Sequence, residues 1–196
     1  MISLLDTLTK EELTRVKITT LKKERILFNE GEVCECVGLV ISGEVEIVSY
    51  SFAGKEIVFN HLIPGMIFGN NLLFSSEPRY KGSVIAKKPA KIGLIYKNDL
   101  ISLFKNNETF MLKYLQYQSD TSKQLNNKIK LLSLDNAEER FFYYAYSQGD
   151  VIQYSTITKL AASLSLQRET LSRLISKLEK EKKIIREKHV IKIIKK

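Results

Sequence analysis

Apolar positions change their spacing several times along the chain. Near the start, Leu5, Leu8, Leu13 and Val16 fall as on one face of a short helix over about Asp6 to Val16. From about Ile18 to Tyr96 this gives way to short apolar runs divided by turn residues. Val37, Leu39 and Ile41 alternate, as do Val45 with Ile47 and Ile57 with Phe59. Alternation at period two, bounded by Gly31, Gly43, Gly54, Pro64-Gly65 and Pro89, predicts many short antiparallel strands. Ser42-Gly43 reads as a hairpin turn between two of them. The stretch of about eighty residues therefore predicts an all-β sandwich or barrel.

Helical spacing then returns. Asn98 or Asp99 can cap a short helix containing Leu100, Leu103 and Phe104. A longer helix is predicted from about Glu108 to Leu132, in which Met111, Leu115, Gln118, Ser122, Leu125, Ile129 and Leu132 advance by alternating steps of four and three. That is a seam at 3.5 residues per turn, the spacing of a parallel dimer, although its middle is polar or small and a single helix lying on its own domain would also serve. Asp135 or Asn136 opens a further helix, AEERFFYYAYSQ, whose aromatics predict a core face. VIQYS (Val151 to Ser155) is a strand candidate. From Thr156 to Leu178 two short helices flank a tight turn, and Ile184-Ile185 and Val190-Ile191 around Lys188-His189 form a closing hairpin. The order makes an α+β chain with expected domains at 1–107, 108–134 and 135–196.

The second helix of the Thr156 to Leu178 pair carries different chemistry on its two sides. Leu171, Leu174, Ile175 and Leu178 form an i, i+3, i+4, i+7 stripe suited to burial. Arg168, Glu169, Ser172, Arg173, Ser176 and Lys177 occupy the other side. A merely solvated face would mix Lys, Glu and Gln freely, whereas arginine forks, one carboxylate and a small hydroxyl at one-turn spacing are groups that read base edges in a major groove. Charge agrees with this. The net charge is +9, and 137–196 holds 13 Lys or Arg against 7 Asp or Glu.

Other chemistry finds little support. The start, ISLLDTLTKEEL, is too polar for a signal peptide, no run approaches the roughly 18 apolar residues of a membrane span, and the protein is expected in the cytoplasm without a membrane partner. Cys34 and Cys36 are the only cysteines. They are too few for a disulfide framework or a four-cysteine iron-sulfur site, and inert thiols are the simpler reading beside a redox pair. His61 is a candidate haem ligand, but a lone histidine is more often structural. No cofactor or metal is identified. A metal-dependent barrel enzyme would need two or three histidines and a carboxylate converging, and the two present, His61 and His189, lie in different expected domains. No nucleophile elbow, P-loop or dinucleotide fingerprint occurs.

The order of β-domain, long helix and winged helix-turn-helix resembles the cyclic-AMP receptor protein and fumarate-nitrate regulator (Crp/Fnr) superfamily of bacterial transcription factors. The resemblance runs from about Leu8 to Lys196. It is most specific at Gln167-Arg168-Glu169-Thr170-Leu171-Ser172-Arg173 followed by Leu178-Glu179, and looser at Ile41-Ser42-Gly43-Glu44-Val45 and Pro64-Gly65 with Phe68-Gly69. It implies an N-terminal antiparallel β-roll (a cyclic-nucleotide-binding-like jelly roll), a long dimerisation helix and a C-terminal winged helix-turn-helix. It further implies a homodimer on a palindromic double-stranded DNA operator, with RNA polymerase as a second partner. By the same resemblance Glu169 accepts from a cytosine amino group, Arg173 forks onto guanine or a neighbouring base, Ser172 sits near a thymine, and Arg168 meets guanine or a phosphate. Thr156, Gln167, Thr170 and Lys177 complete the expected DNA-binding set. The Glu-x-x-Ser-Arg spacing is similar to the fumarate-nitrate branch, implying a TTGA-like half-site.

The chain departs from that family's pattern at informative positions. Ser165 stands at the usual turn glycine and Gln167 at the usual Ser or Thr cap. In the cyclic-AMP sensors a Gly-Glu-Leu segment binds the ribose, and here it reads Gly69-Asn70-Asn71-Leu72, without the carboxylate. The phosphate-binding Arg-Ser pair becomes Pro78-Arg79-Tyr80-Lys81-Gly82, with the arginine out of register. Gly69, Asn70, Asn71, Leu72, Arg79, Tyr80 and Lys81 are thus the expected effector pocket, with cyclic AMP an unlikely occupant and the effector or redox signal unidentified. The competing reading is a cyclic-nucleotide or small-anion sensor that does not read DNA.

Overall fold

The computed structural model describes residues 4–194. The outer ends of the first and last expected domains, 1–3 and 195–196, lie outside the described residues. The chain forms two compact units, Met1–Ser119 and Asp120–Lys196, each with its own apolar core.

Two long antiparallel strands organise the first unit: β3 (Cys36–Tyr50) and β6 (Ser83–Tyr96), paired from Cys36↔Tyr96 to Val48↔Ser83. Their register shifts three times between Val40 and Val45. These bulges divide the pair into halves with different neighbours. In one half, β5 (Ile67–Phe68) pairs with Gly38 and Leu39, and β1 (Lys17–Leu21) pairs with Ala90 to Leu94. In the other, β4 (Glu56–Leu62) pairs with Val45 to Tyr50, and β2 (Ile26–Phe28) pairs with Val84 and Ile85. Bulges bend strands from one sheet layer into the other, so two strands serve both layers and enclose one core.

The expected hairpin at Ser42-Gly43 is therefore corrected to a bulge inside one continuous strand. Gly43 has φ +84°, and a Cβ there would stand 2.2 Å from the Pro89 carbonyl oxygen and 2.6 Å from Ala90 Cα. Pro89, read as a strand boundary, lies within β6 and has no partner on β3. A bulge is where a missing N–H leaves no ladder bond unmade. Alternation also mispredicted two surfaces. Cys36 to Val40 are buried at every position, and β4 is exposed from Glu56 to His61, because it edges the sheet with only β3 beside it.

The expected first helix is a 3-10 turn at Leu4–Thr7 followed by α1 (Lys10–Leu13). Thr9 interrupts it with a capping box, accepting from the Glu12 N–H while the Glu12 carboxylate accepts from the Thr9 N–H. α2 (Lys97–Asn106) begins ahead of Asn98 and Asp99, with Tyr96 at its cap and no capping side chain. Asn107 then closes a corner. Its Oδ1 accepts from the Phe110 N–H, and its Nδ2 donates to the Thr7 carbonyl and the Glu12 carboxylate. From there α3 (Glu108–Leu132) sets off, with Phe110 and Tyr114 in the first core.

In the second unit the later turns of α3 precede α4 (Ala137–Ser147), capped by Asn136, whose Oδ1 accepts from the Glu139 N–H. A three-stranded sheet follows in the order β7 (Val151–Gln153), β9 (Val190–Ile193), β8 (Ile184–Glu187). Between β7 and β8 run α5 (Ile157–Ser163) and α6 (Arg168–Lys180). The aromatic run of α4 is a core face only in part. Phe141 and Ala145 are fully buried, whereas Tyr146 is exposed and stacks on Phe142.

Gly43→Ala adds left-handed strain and a backbone clash, so it should lower the unfolding free energy by about 2–4 kcal/mol. Gly54→Ala, at φ +72° with open space around it, should cost about 1 kcal/mol. Urea unfolding followed by far-UV circular dichroism compares the two. Equal losses would show that the approach to Pro89 does not constrain the bulge.

Candidate nucleic-acid interface

The helix-turn-helix is built by ordinary helix-end chemistry. Thr156 caps α5, its hydroxyl accepting from the Lys159 N–H at 3.2 Å. α5 ends in a Schellman motif, with Ser165 N–H donating to Ala162 and Leu166 N–H to Ala161. Ser165 occupies the left-handed position at φ +52°, as its place at the usual glycine implied, and a residue with a Cβ pays roughly 1–2 kcal/mol there. Gln167 is the N-cap of α6 and makes no capping hydrogen bond. α6 ends in a second Schellman motif, with Lys182 left-handed at φ +54° and the Lys183 N–H reaching the Leu178 carbonyl. Nothing in the sequence marked Lys182 for that role.

α6 has two distinct sides. Leu171, Leu174, Ile175 and Leu178 are buried, none more than 8% exposed. Arg168, Glu169, Thr170, Ser172 and Arg173 are exposed on the opposite side with Gln167 just ahead of them. Among the described residues, the side chains of Arg168, Glu169 and Arg173 make no hydrogen bond or ion pair. Lys177 is placed differently from the others. Its Nζ pairs with Glu138 at 2.8 Å and Glu181 at 3.7 Å, tying it back to its own unit. Glu138 also takes Lys183 at 2.7 Å. The two lysines hold the Glu138 carboxyl below its ordinary range through hydrogen bonds, which outweigh a small desolvation effect.

The β8–β9 hairpin forms the wing. Glu187 pairs with Val190 around a tight Lys188-His189 turn, with His189 at φ +62°. Lys182, Arg186 and Lys188 are exposed on and beside it. These cations were missing from the expected DNA-binding set, although the run KKIIREKH carried the signal. Arg140 was missed as well. It lies on α4, yet its guanidinium donates to the carbonyl of Ser165 in the helix-turn-helix, a contact no local motif announces.

Along α3, the expected seam residues divide between two fates. Leu115, Ser122, Leu125, Ile129 and Leu132 are exposed, joined by Leu112, while Met111 is half-buried. Gln118 turns to its own unit, where it accepts from the Asn70 amide and donates to the Asn70 carbonyl.

The expected effector residues are largely committed to the β-domain. Gly69 is left-handed at φ +75°, and a Cβ there would stand 2.8 Å from the Cys36 carbonyl, 3.2 Å from Cys34 Sγ and 3.7 Å from the Tyr80 hydroxyl. Asn70 is buried, Leu72 half-buried and Asn71 exposed. The Tyr80 ring is core, stacked on Phe28 at 4.7 Å. Arg79 donates to the Gly31 carbonyl at 2.8 Å, and Lys81 is exposed. Cys34 and Cys36 are free and buried, and desolvation raises both thiols, Cys36 to about 11. They stay protonated at neutral pH, the opposite of a reactive thiolate. His61 lies exposed on β4, its ring nitrogens 3.3 Å from Glu46 and 3.7 Å from Glu44. Two carboxylates of β3 are what lie beside it. Among the described residues no group of three or more His, Cys, Asp or Glu is placed to hold a metal, and no helix is long and apolar enough to cross a membrane.

Residues 18–107 match the family described as cyclic nucleotide-binding domain. Over 172 residues, the chain is 24% identical to the anaerobic regulatory protein of Bacillus subtilis (strain 168), covering 82% of this chain and 72% of that one. It is also 24% identical over 160 residues to the cyclic AMP receptor protein of Thermus thermophilus, covering 79% and 73%. The crystal structure of the Thermus thermophilus catabolite activator protein aligns over 97% of this chain and 93% of its own, with TM-score 0.57 and 22% identity. That last likeness establishes the fold.

The Glu138 cluster predicts a pH dependence with a definite sign. A carboxyl held below its ordinary value of 4.5 adds stability that is present above that value and lost as pH falls through the lower, folded one. Urea unfolding of the wild type and of Glu138→Gln should therefore differ at pH 6 and converge toward pH 3. The difference is small because the pairs are screened by solvent, and a gap that does not change with pH would remove the cluster from the stability of this unit.

Proposed function

We propose that this protein is a transcription regulator of the Crp/Fnr superfamily and, within it, a homodimeric reader of a palindromic DNA operator. The observation that carries this reading is the outer side of α6. Arg168, Glu169, Ser172 and Arg173 are exposed at i, i+1, i+4 and i+5, and none of the charged three is paired among the described residues. Keeping two arginines and a glutamate free on a helix whose other side is core leaves their hydrogen-bonding capacity for another molecule. Glu169 accepts from a cytosine amino group, Arg173 forks onto guanine or its neighbour, Ser172 packs near a thymine methyl, and Arg168 takes guanine or a phosphate. Thr156, Gln167 and Thr170 border the phosphates, and the wing cations Arg186 and Lys188 add sequence-independent attraction. A TTGA-like half-site fits these roles.

The exposed stripe Leu112, Leu115, Leu125, Ile129 and Leu132 supports α3 as the dimer seam, because a second copy would remove this apolar surface from water. Two heads about 34 Å apart would enter successive major grooves. The effector is a ligand or redox signal of another kind than cyclic AMP. Asn70 brings no carboxylate and Arg79 is bonded to Gly31, so neither ribose nor cyclic phosphate finds its usual partner. RNA polymerase is the proposed second partner of the DNA-bound dimer.

Selection of bound duplexes from a random pool tests the reading. A palindrome is expected, and Glu169→Ala should cost about 1–3 kcal/mol at one base pair of each half-site while leaving other positions unchanged. Uniform loss at all positions would reduce Glu169 to a stability role, and absence of any selected sequence would favour a sensor that does not read DNA. Leu125→Lys with Ile129→Lys should yield a monomer in sedimentation, with operator affinity lowered about 100-fold or more through loss of bivalency. A dimer that survives this pair of charges would place the interface elsewhere.

A further inference from the structure

The turn that aims α6 is held by a residue outside the helix-turn-helix. Arg140, on α4, spreads its guanidinium over three main-chain carbonyls. Nε donates to Leu134 at 3.2 Å, Nη2 to Leu132 at 3.3 Å and Nη1 to Ser165 at 3.3 Å. Leu132 is the last residue of α3, Leu134 lies in the connection to α4, and Ser165 is the left-handed residue between α5 and α6. Carbonyls at a helix end lack intrahelical donors and carry the negative end of the helix dipole. A planar fork with five donors can satisfy several of them together, which a single ammonium cannot.

The third bond carries the functional consequence. Ser165 has a Cβ where the Schellman geometry favours glycine, so the turn is the least self-supporting point of the reading head. Gln167, which follows it, provides no capping bond to stiffen the start of α6. Fixing the Ser165 carbonyl from α4 sets the peptide plane leaving the turn, and with it the direction in which α6 departs. The same guanidinium grips the end of α3. We infer that Arg140 is a positioning residue for DNA reading, which locks the helix-turn-helix turn to the C-terminal end of α3 so that the α6 face keeps one orientation on that helix. This rests on the proposed roles of α3 as dimer seam and α6 as reader. In a dimer joined through α3, loosening this lock would blur the spacing of two reading faces without touching a base-contacting group.

Arg140→Met, Arg140→Lys and Arg140→Met combined with Ser165→Gly, all in the full chain, test the lock by two readouts. The first is hydrogen exchange without DNA, read at the Leu166 amide, which donates to Ala161 at 2.9 Å. Exchange should rise about tenfold in both single variants. It should return toward wild type in the combined variant, since glycine holds the left-handed turn without a clamp. The second is affinity for the duplex that the wild type selects, set against an unrelated duplex of equal length. Affinity for the selected duplex should fall about tenfold in both single variants, while the unrelated duplex is bound within about twofold of wild type by Arg140→Lys, which keeps the charge. Unchanged exchange at Leu166 overturns the lock whatever happens with DNA. So does a loss confined to Arg140→Met and equal for both duplexes, which would be a plain charge effect. If exchange responds as expected but the wild type selects no sequence, the lock stands and the DNA-reading proposal fails. Should Arg140→Met not fold cooperatively, Arg140→Lys with and without Ser165→Gly makes the same comparison.

Discussion

Leu171, Leu174, Ile175 and Leu178 allow α6 only one rotational setting. Each successive residue of a helix turns about 100°, so rolling α6 by one position would expose part of this stripe and bury Arg173 or Ser172 in its place. Burying four such side chains is worth about 6–12 kcal/mol before entropy is counted. The missing cap at Gln167 and the strained turn at Ser165 each cost on the order of 1 kcal/mol. Packing therefore decides that α6 exists and which way it faces, and the weak local chemistry at its start is tolerated. The free outer side with Arg168, Glu169, Ser172 and Arg173 is the complement of that buried stripe.

The same dependence on packing shapes the β-domain. The bulges between Val40 and Val45 let β3 and β6 serve both layers, and the enclosed space is filled by side chains that a pattern of segments would have assigned to a binding loop. Tyr80, between two exposed cations, turns inward to stack on Phe28, and its buried hydroxyl has no hydrogen-bond partner among the described residues. Gly69 must stay small because the Cys36 carbonyl and Cys34 Sγ press on it. The residues expected to line an effector pocket thus go in part to the core, to a bond between Asn70 and Gln118, and to a link between Arg79 and Gly31.

Helix ends show how legibility varies with mechanism. Gly149, Ser165 and Lys182 all occupy left-handed positions after helices. Gly149 sits there without strain, because glycine has no steric reason to avoid that region. Ser165 was readable only through the family resemblance, and Lys182 was not readable at all, since its conformation is imposed by where α6 must stop to let β8 begin. The aromatic run of α4 behaved similarly. Composition placed it in a core, but which ring is buried depended on what α6 covers, so Phe141 went in and Tyr146 stayed out.

What the sequence determined by itself were features whose cause is local or periodic: the extent of α3, the two-sided character of α6, the opening of α4 at Asn136, and the Lys188-His189 wing turn. Side-chain spacing and main-chain hydrogen bonding fix these within a few residues. Only the tertiary structure decided features that join distant segments. It made a bulge of Ser42-Gly43 by setting Pro89 against it, and it bonded Gln118 to Asn70. It also tied Lys177 to Glu138 and brought Arg140 to the carbonyl of Ser165. Each of these is a contact between residues far apart in sequence, chosen by which groups were left without a partner once the apolar stripes had packed.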